Sequence, residues 1–117
     1  MAFKFENLKV WEKAVDLSGE ISESVKKFPK DELFVLTSQI KRATDSISLN
    51  IAEGSTGQTN PEFRKFLGYS LRSAIEVVGC IFLAKRRNLF TQDEFNLYYL
   101  KLIELIKGIQ ALRNSLK

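Results

Sequence analysis

A chain of 117 residues with 44% apolar and 27% charged side chains is the size of one folded domain that builds its core without staples. It has no histidine and one cysteine, Cys80, which removes the commonest general base, the commonest metal ligand and any intrachain disulfide together. The formal charge of +4 is mildly basic, permitting a nucleic-acid partner without requiring one. A lone thiol fits a reducing compartment. The stretch Met1 to Glu12 mixes charges and aromatics rather than forming a leader, and no uncharged apolar run approaches the roughly 20 residues that span a bilayer. The expectation is a cytoplasmic protein with no membrane contact and no cofactor.

The first helix is expected over about 7–27. Leu8, Trp11, Ala14 or Val15, Leu17 or Ser18, Ile21, Val25 and Phe28 recur at three- and four-residue steps, and Pro29 stops the run. A second is expected over about 31–53, with a stripe of Leu33, Leu36, Ile40, Ala43, Ile47 and Ile51, and with Gly54 placed as its C-terminal cap. The loop from Gly54 to Asn60 leads to Asn60-Pro61-Glu62, which reads as an N-cap, a first-turn proline and a first-turn acid. The third helix follows over about 61–88. Phe63, Phe66, Leu67, Tyr69, Leu71, Ala74, Ile75, Val77, Val78, Ile81 and Phe82 cover more than half its circumference. Gly79 inside it is either a point of close helix approach or a weak spot. After the turn at Asn88, Thr91 and Glu94 form a capping box for a fourth helix over about 92–116. Its seam is Phe95, Tyr98 or Tyr99, Leu102, Leu105 or Ile106, Ile109, Leu112 and Leu116.

Long helices joined by short connections pack antiparallel, so the fold expected is an all-α up-down-up-down four-helix bundle. A bundle helix needs an apolar stripe of about three positions in seven. The third helix exceeds that, which calls for a second neighbour, another copy of the chain.

Several segments resemble the 23S ribosomal RNA intervening-sequence protein family: Leu8-Lys9-Val10-Trp11-Glu12-Lys13-Ala14; Phe28-Pro29 with Glu32; Gln39-Ile40-Lys41-Arg42-Ala43; Ser46-Ile47; Asn50-Ile51-Ala52-Glu53-Gly54; Glu62-Phe63; Phe66-Leu67; and Ser73 with Glu76. The resemblance implies a bundle assembled as a ring, typically a pentamer. It also implies kinship with the accessory protein of diversity-generating retroelements, which binds nucleic acid. This chain departs from the family pattern at Gly57, where an arginine is usual, and at Arg72, where a small residue is usual.

Three groups of residues are candidates for function or specificity. Folding the chain back near Gly57 sets Arg42 opposite Ser73 and Gln39 opposite Glu76, a polar cluster in which a part-buried Glu76 takes Arg42 as its forked partner. Such a pair fixes helix register or a subunit interface, and nothing near it serves as nucleophile and base. Asn50, Glu53, Gly54 and Glu62 sit around the loop. They manage the helix end or flank an anion site at the Asn60-Pro61 helix start. The third group is cationic. The third helix carries six basic residues against two acidic ones, and antiparallel packing gathers Lys26, Lys27, Lys30, Lys85, Arg86 and Arg87 at one end of the bundle. In a ring this becomes a repeated rim able to engage RNA or DNA phosphates. The function expected is a non-enzymatic, homo-oligomeric nucleic-acid-binding bundle. The alternative is a homo-oligomeric protein-interaction scaffold without a nucleic-acid ligand.

Overall fold

In the computed structural model, which describes residues 2–57 and 59–117, each apolar stripe becomes a helix and the four close on one another. The helices are α1 (Lys9–Ser24), α2 (Ser38–Ser55), α3 (Asn60–Arg86) and α4 (Gln92–Ser115). Side-chain pairs along the seams run in opposite directions. Lys13 meets Glu104 while Lys27 meets Glu94, and Ser46 meets Ser73 while Gln39 meets Glu76. All neighbours are therefore antiparallel, in a bundle 43 Å long and 22 Å across. Its length is about that of α3 alone at 1.5 Å per residue.

The stripes resolve the sequence's open choices. In α1 the core takes Ala14, Leu17 and Ile21, with Val25 and Phe28 after it, and leaves Val15 outside. In α4 it takes Tyr98, Leu102, Leu105 and Ile109. Phe28 and Phe90 close one end edge to face, 5.2 Å apart. Of the described helices, α3 is long and apolar enough to cross a membrane. Here it packs against α2 and α4.

Three helix ends differ from expectation. The second helix does not begin as α-helix: a 3₁₀ turn (Lys30–Glu32) runs into a π-helical turn (Leu33–Thr37), where the Glu32 carboxylate accepts the Leu36 N–H at 3.4 Å. The wide turn rotates the helix phase, so Leu33 leaves the stripe and is 50% exposed while Thr37 turns inward. Secondly, the N-cap of α3 is Thr59, whose hydroxyl accepts the Glu62 N–H at 3.2 Å, so Asn60 is already helical. Thirdly, Gly54 is no left-handed cap. It lies inside α2, and a Cβ there would stand 2.5 Å from the Phe66 Cβ. The close-approach glycine is thus Gly54. A Cβ at Gly79 would meet nothing within 4 Å.

The end of α3 is closed by Asn88, the one non-glycine residue with positive φ (59°) among those described. It lets the Leu89 N–H reach the Ala84 carbonyl at 2.8 Å and its own N–H reach Lys85 at 3.1 Å, a Schellman closure that asparagine tolerates better than most residues. The capping box at Thr91 is present as read from sequence, with Glu94 N–H to Thr91 Oγ1 at 3.1 Å and Thr91 N–H to Glu94 Oε1 at 2.8 Å.

Candidate nucleic-acid interface

The ends of α1 and α3 and the starts of α2 and α4 meet at one pole, so the six cations expected there do share an end of the bundle. Three of them are engaged. Lys27 binds both oxygens of Glu94, at 2.5 and 2.7 Å, and lies over the Phe90 ring. Burial pushes the Glu94 carboxyl up, but hydrogen bonds from Lys27 and Thr91 outweigh it and hold the group below its usual range. Arg87 binds both oxygens of Glu32 at 3.0 and 3.2 Å, and Lys26 pairs with Glu23 one turn back at 2.8 Å. Surface pairs of this kind are worth about 0–1 kcal/mol each. Lys30, Lys85 and Arg86 form no ion pair among the described residues.

The fold adds to this pole a hollow that the sequence did not suggest. Lys26, Lys30 and Lys41 rim a cavity of about 270 Å³ floored by Val25, Phe28 and Leu33. Lys41 joins because the π-helical turn sets the start of α2 beside the end of α1. Thr37 also lines the cavity, and its buried Oγ1 has no hydrogen-bond partner.

The polar cluster between α2 and α3 forms with different partners. The two helices register so that Ser46 meets Ser73, Oγ to Oγ at 2.9 Å, and Asn50 donates to the Ser46 hydroxyl at 3.0 Å and carbonyl at 2.9 Å. Ser70, fully buried, donates to the Ile47 carbonyl at 2.7 Å. Gln39 reaches Glu76 at 3.5 Å. Arg42 is solvent-exposed and makes no pair with Glu76, which is itself exposed rather than part-buried. The small serines let the helices approach closely, and the long side chains are displaced to the flanks. Asn50 bonds within α2 instead of capping it. Glu53 is exposed, its carbonyl accepting the Thr56 hydroxyl at 3.0 Å. The Glu62 carboxylate lies over Gly57, 3.1 Å from where a Cβ would stand. Negative charge therefore sits at the helix start that was a candidate anion site.

Residues 6–111 match the 23S rRNA-intervening sequence protein family. The chain belongs to this family. A solved structure of a protein of unknown function from the S23 ribosomal protein family of Bacteroides thetaiotaomicron superposes on it with a TM-score of 0.83. The two are 24% identical, over 90% of this chain and 95% of that one, a likeness that shows the fold. No curated protein matches the sequence.

Two further groups of this intervening-sequence family bundle are buried. Cys80 is 2% exposed, and burial, then the nearby charge of Glu76, pushes its thiol up to about 11. It behaves as a small apolar residue. Thr37 keeps a hydroxyl that forms no internal bond. Thr37→Val removes an unsatisfied buried group while preserving shape, and is expected to stabilise the fold by about 1 kcal/mol in urea unfolding. A loss of stability would mean that the hydroxyl is bonded in solution.

Proposed function

We propose that the chain is a non-enzymatic, oligomeric nucleic-acid-binding bundle whose basic pole contacts phosphates. The observation that carries this reading is the grouping of Lys30, Lys85, Arg86 and Lys41, cations from three segments of the chain at one pole without ion-pair partners among the described residues. The family name points to association with ribosomal RNA, and the kinship that the family resemblance implies, with a retroelement accessory protein that binds nucleic acid, supports the same reading. Copies associate into a cytoplasmic ring, five in the family pattern, and the ring repeats the basic pole so that weak phosphate contacts act together.

Purification without nuclease, followed by fluorescence anisotropy with RNA and DNA oligonucleotides, tests this. Wild-type affinity should fall steeply with salt. Lys30→Glu combined with Arg86→Glu should weaken binding about tenfold or more at 0.1 M salt without changing the oligomer mass. Equal affinity of this variant and wild type would remove the pole as the contact. A second reading, a homo-oligomeric protein-interaction scaffold without nucleic acid, is favoured by Leu49 and Leu100, which stand 64% and 67% exposed on α2 and α4. It predicts no oligonucleotide binding at any salt.

A further inference from the structure

The opposite end of α3 holds a cationic groove that no part of the basic pole reaches. It runs between the start of α3 and the end of α4, with a volume of about 440 Å³, and its lining includes Arg64, Lys65, Gly68, Tyr69, Arg72 and Arg113 but no carboxylate. The basic pole, by contrast, interleaves its cations with Glu23, Glu32 and Glu94.

Two of the four cations are locked in place by a reciprocal clasp. Arg64 Nη1 donates to the Arg113 carbonyl at 3.3 Å, and Arg113 Nε donates to the Arg64 carbonyl at 3.1 Å. Each guanidinium spends one donor on the other helix's backbone and keeps the rest of its fork free. Arg113 lies flat beside Gly68, its nitrogens about 3.7 to 3.8 Å from where a Cβ would stand, so the floor of the groove stays low. Lys65 and Arg72 flank this clasp, exposed and without ion pairs or side-chain hydrogen bonds among the described residues. Like charges held this close repel each other unless an anion sits among them.

We propose that this groove seats the sugar–phosphate backbone of a single-stranded nucleic acid, with a base against Tyr69. This assignment rests on the nucleic-acid reading above and places a second contact far from the pole. The cations from Arg64 to Arg72 extend about 12 Å along α3, more than one phosphate occupies. The groove is open rather than enclosed, so a strand can enter and leave it. Tyr69 is held edge to face by Phe66, ring centres 5.5 Å apart, and remains 39% exposed, which is the condition for a stacking platform.

The test compares wild type, Lys65→Gln/Arg72→Gln, Tyr69→Ala and the pole variant Lys30→Glu/Arg86→Glu. Each is titrated with single-stranded oligonucleotides across a salt series, with a nucleoside triphosphate as competitor. Lys65 and Arg72 hold nothing in the fold, so circular dichroism should be unchanged. The groove variant is expected to lose about tenfold in affinity, and its salt slope should flatten by about 1.4, the loss of two phosphate contacts to a single strand. Tyr69→Ala is expected to lose about tenfold with the slope unchanged. Wild-type affinity and slope in the groove variant, with the pole variant weakened, would overturn the groove and leave the nucleic-acid reading standing. No oligonucleotide binding by wild type would overturn both. Binding of the triphosphate as tight as that of the oligonucleotide would overturn the polymer as occupant.

Discussion

Gly54→Ala is expected to destabilise the fold by about 1–2 kcal/mol, and Gly54→Val by more. The reason is steric. A Cβ at this position stands 2.5 Å from the Phe66 Cβ and 3.1 Å from the Phe63 ring. The first of these atoms is fixed to the α3 backbone and cannot swing aside, so the helices themselves must part. Overpacking of a close-packed contact costs about 1–3 kcal/mol and sometimes more, against a total stability of about 5–15 kcal/mol for a domain of this kind. Helix propensity acts in the opposite direction, since alanine is better than glycine inside a helix by about 1 kcal/mol. Gly19 provides the control. It lies inside α1, and a Cβ there meets nothing within 4 Å, so Gly19→Ala should stabilise by about 1 kcal/mol. Urea midpoints of the two alanine variants should move in opposite directions. A Gly54→Ala midpoint at or above wild type would show that the α2–α3 contact is looser than the packing requires.

The four helices were legible because hydrophobic period, Pro29, the capping box at Thr91 and the turn at Asn88 all marked the same segments. What was not legible depended on single-residue offsets. The π-helical turn inserts extra width without any proline or glycine to announce it, so Leu33 read as part of the core stripe. At Ser73 the α2–α3 register was centred about two residues too early, although Gln39 does face Glu76 as read. That placed Arg42 against Ser73, whereas Ser46 takes that position, and it made an ion pair out of two exposed side chains. The basic pole was legible as a set of residues with Asp31, Glu32, Asp93 and Glu94 diluting its field at the same end, but the pairing of Glu32 with Arg87 and of Glu94 with Lys27 across helices was not. The groove was missed for the opposite reason. Its cations come from two segments about fifty residues apart, and neither segment is conspicuous until the Arg64–Arg113 clasp joins them.

Phe34→Asp and Ile75→Asp are each expected to reduce the proposed oligomer to single chains of 13.4 kDa, and a mixture of the two variants is expected to form dimers. Phe34 and Ile75 are 90% and 61% exposed in one chain, so neither substitution removes anything the isolated fold needs. They belong to different patches. Phe34 projects with Leu33 and Val35 from the π-helical turn before α2, while Ile75 lies with Gly79 and Phe82 along a face of α3, four and three residues apart. Burying a large apolar side chain contributes about 1.5–3 kcal/mol, and an unpaired carboxylate in its place adds a desolvation cost of several more. Together they weaken one junction by about a thousandfold. Two unlike patches suit head-to-tail contact, which closes into a ring, rather than the self-complementary contact of a two-fold dimer. The mixing experiment separates these geometries. In a ring, the Phe34→Asp chain keeps its α3 face and the Ile75→Asp chain keeps its tip, so one sound junction forms between them and no second one follows. In a two-fold dimer built on either patch, one of the variants alone would still dimerise and mixing would add nothing. Light scattering of each variant, and of the equimolar mixture, reads the difference directly. A wild-type mass of one chain in dilute solution would end the case for assembly.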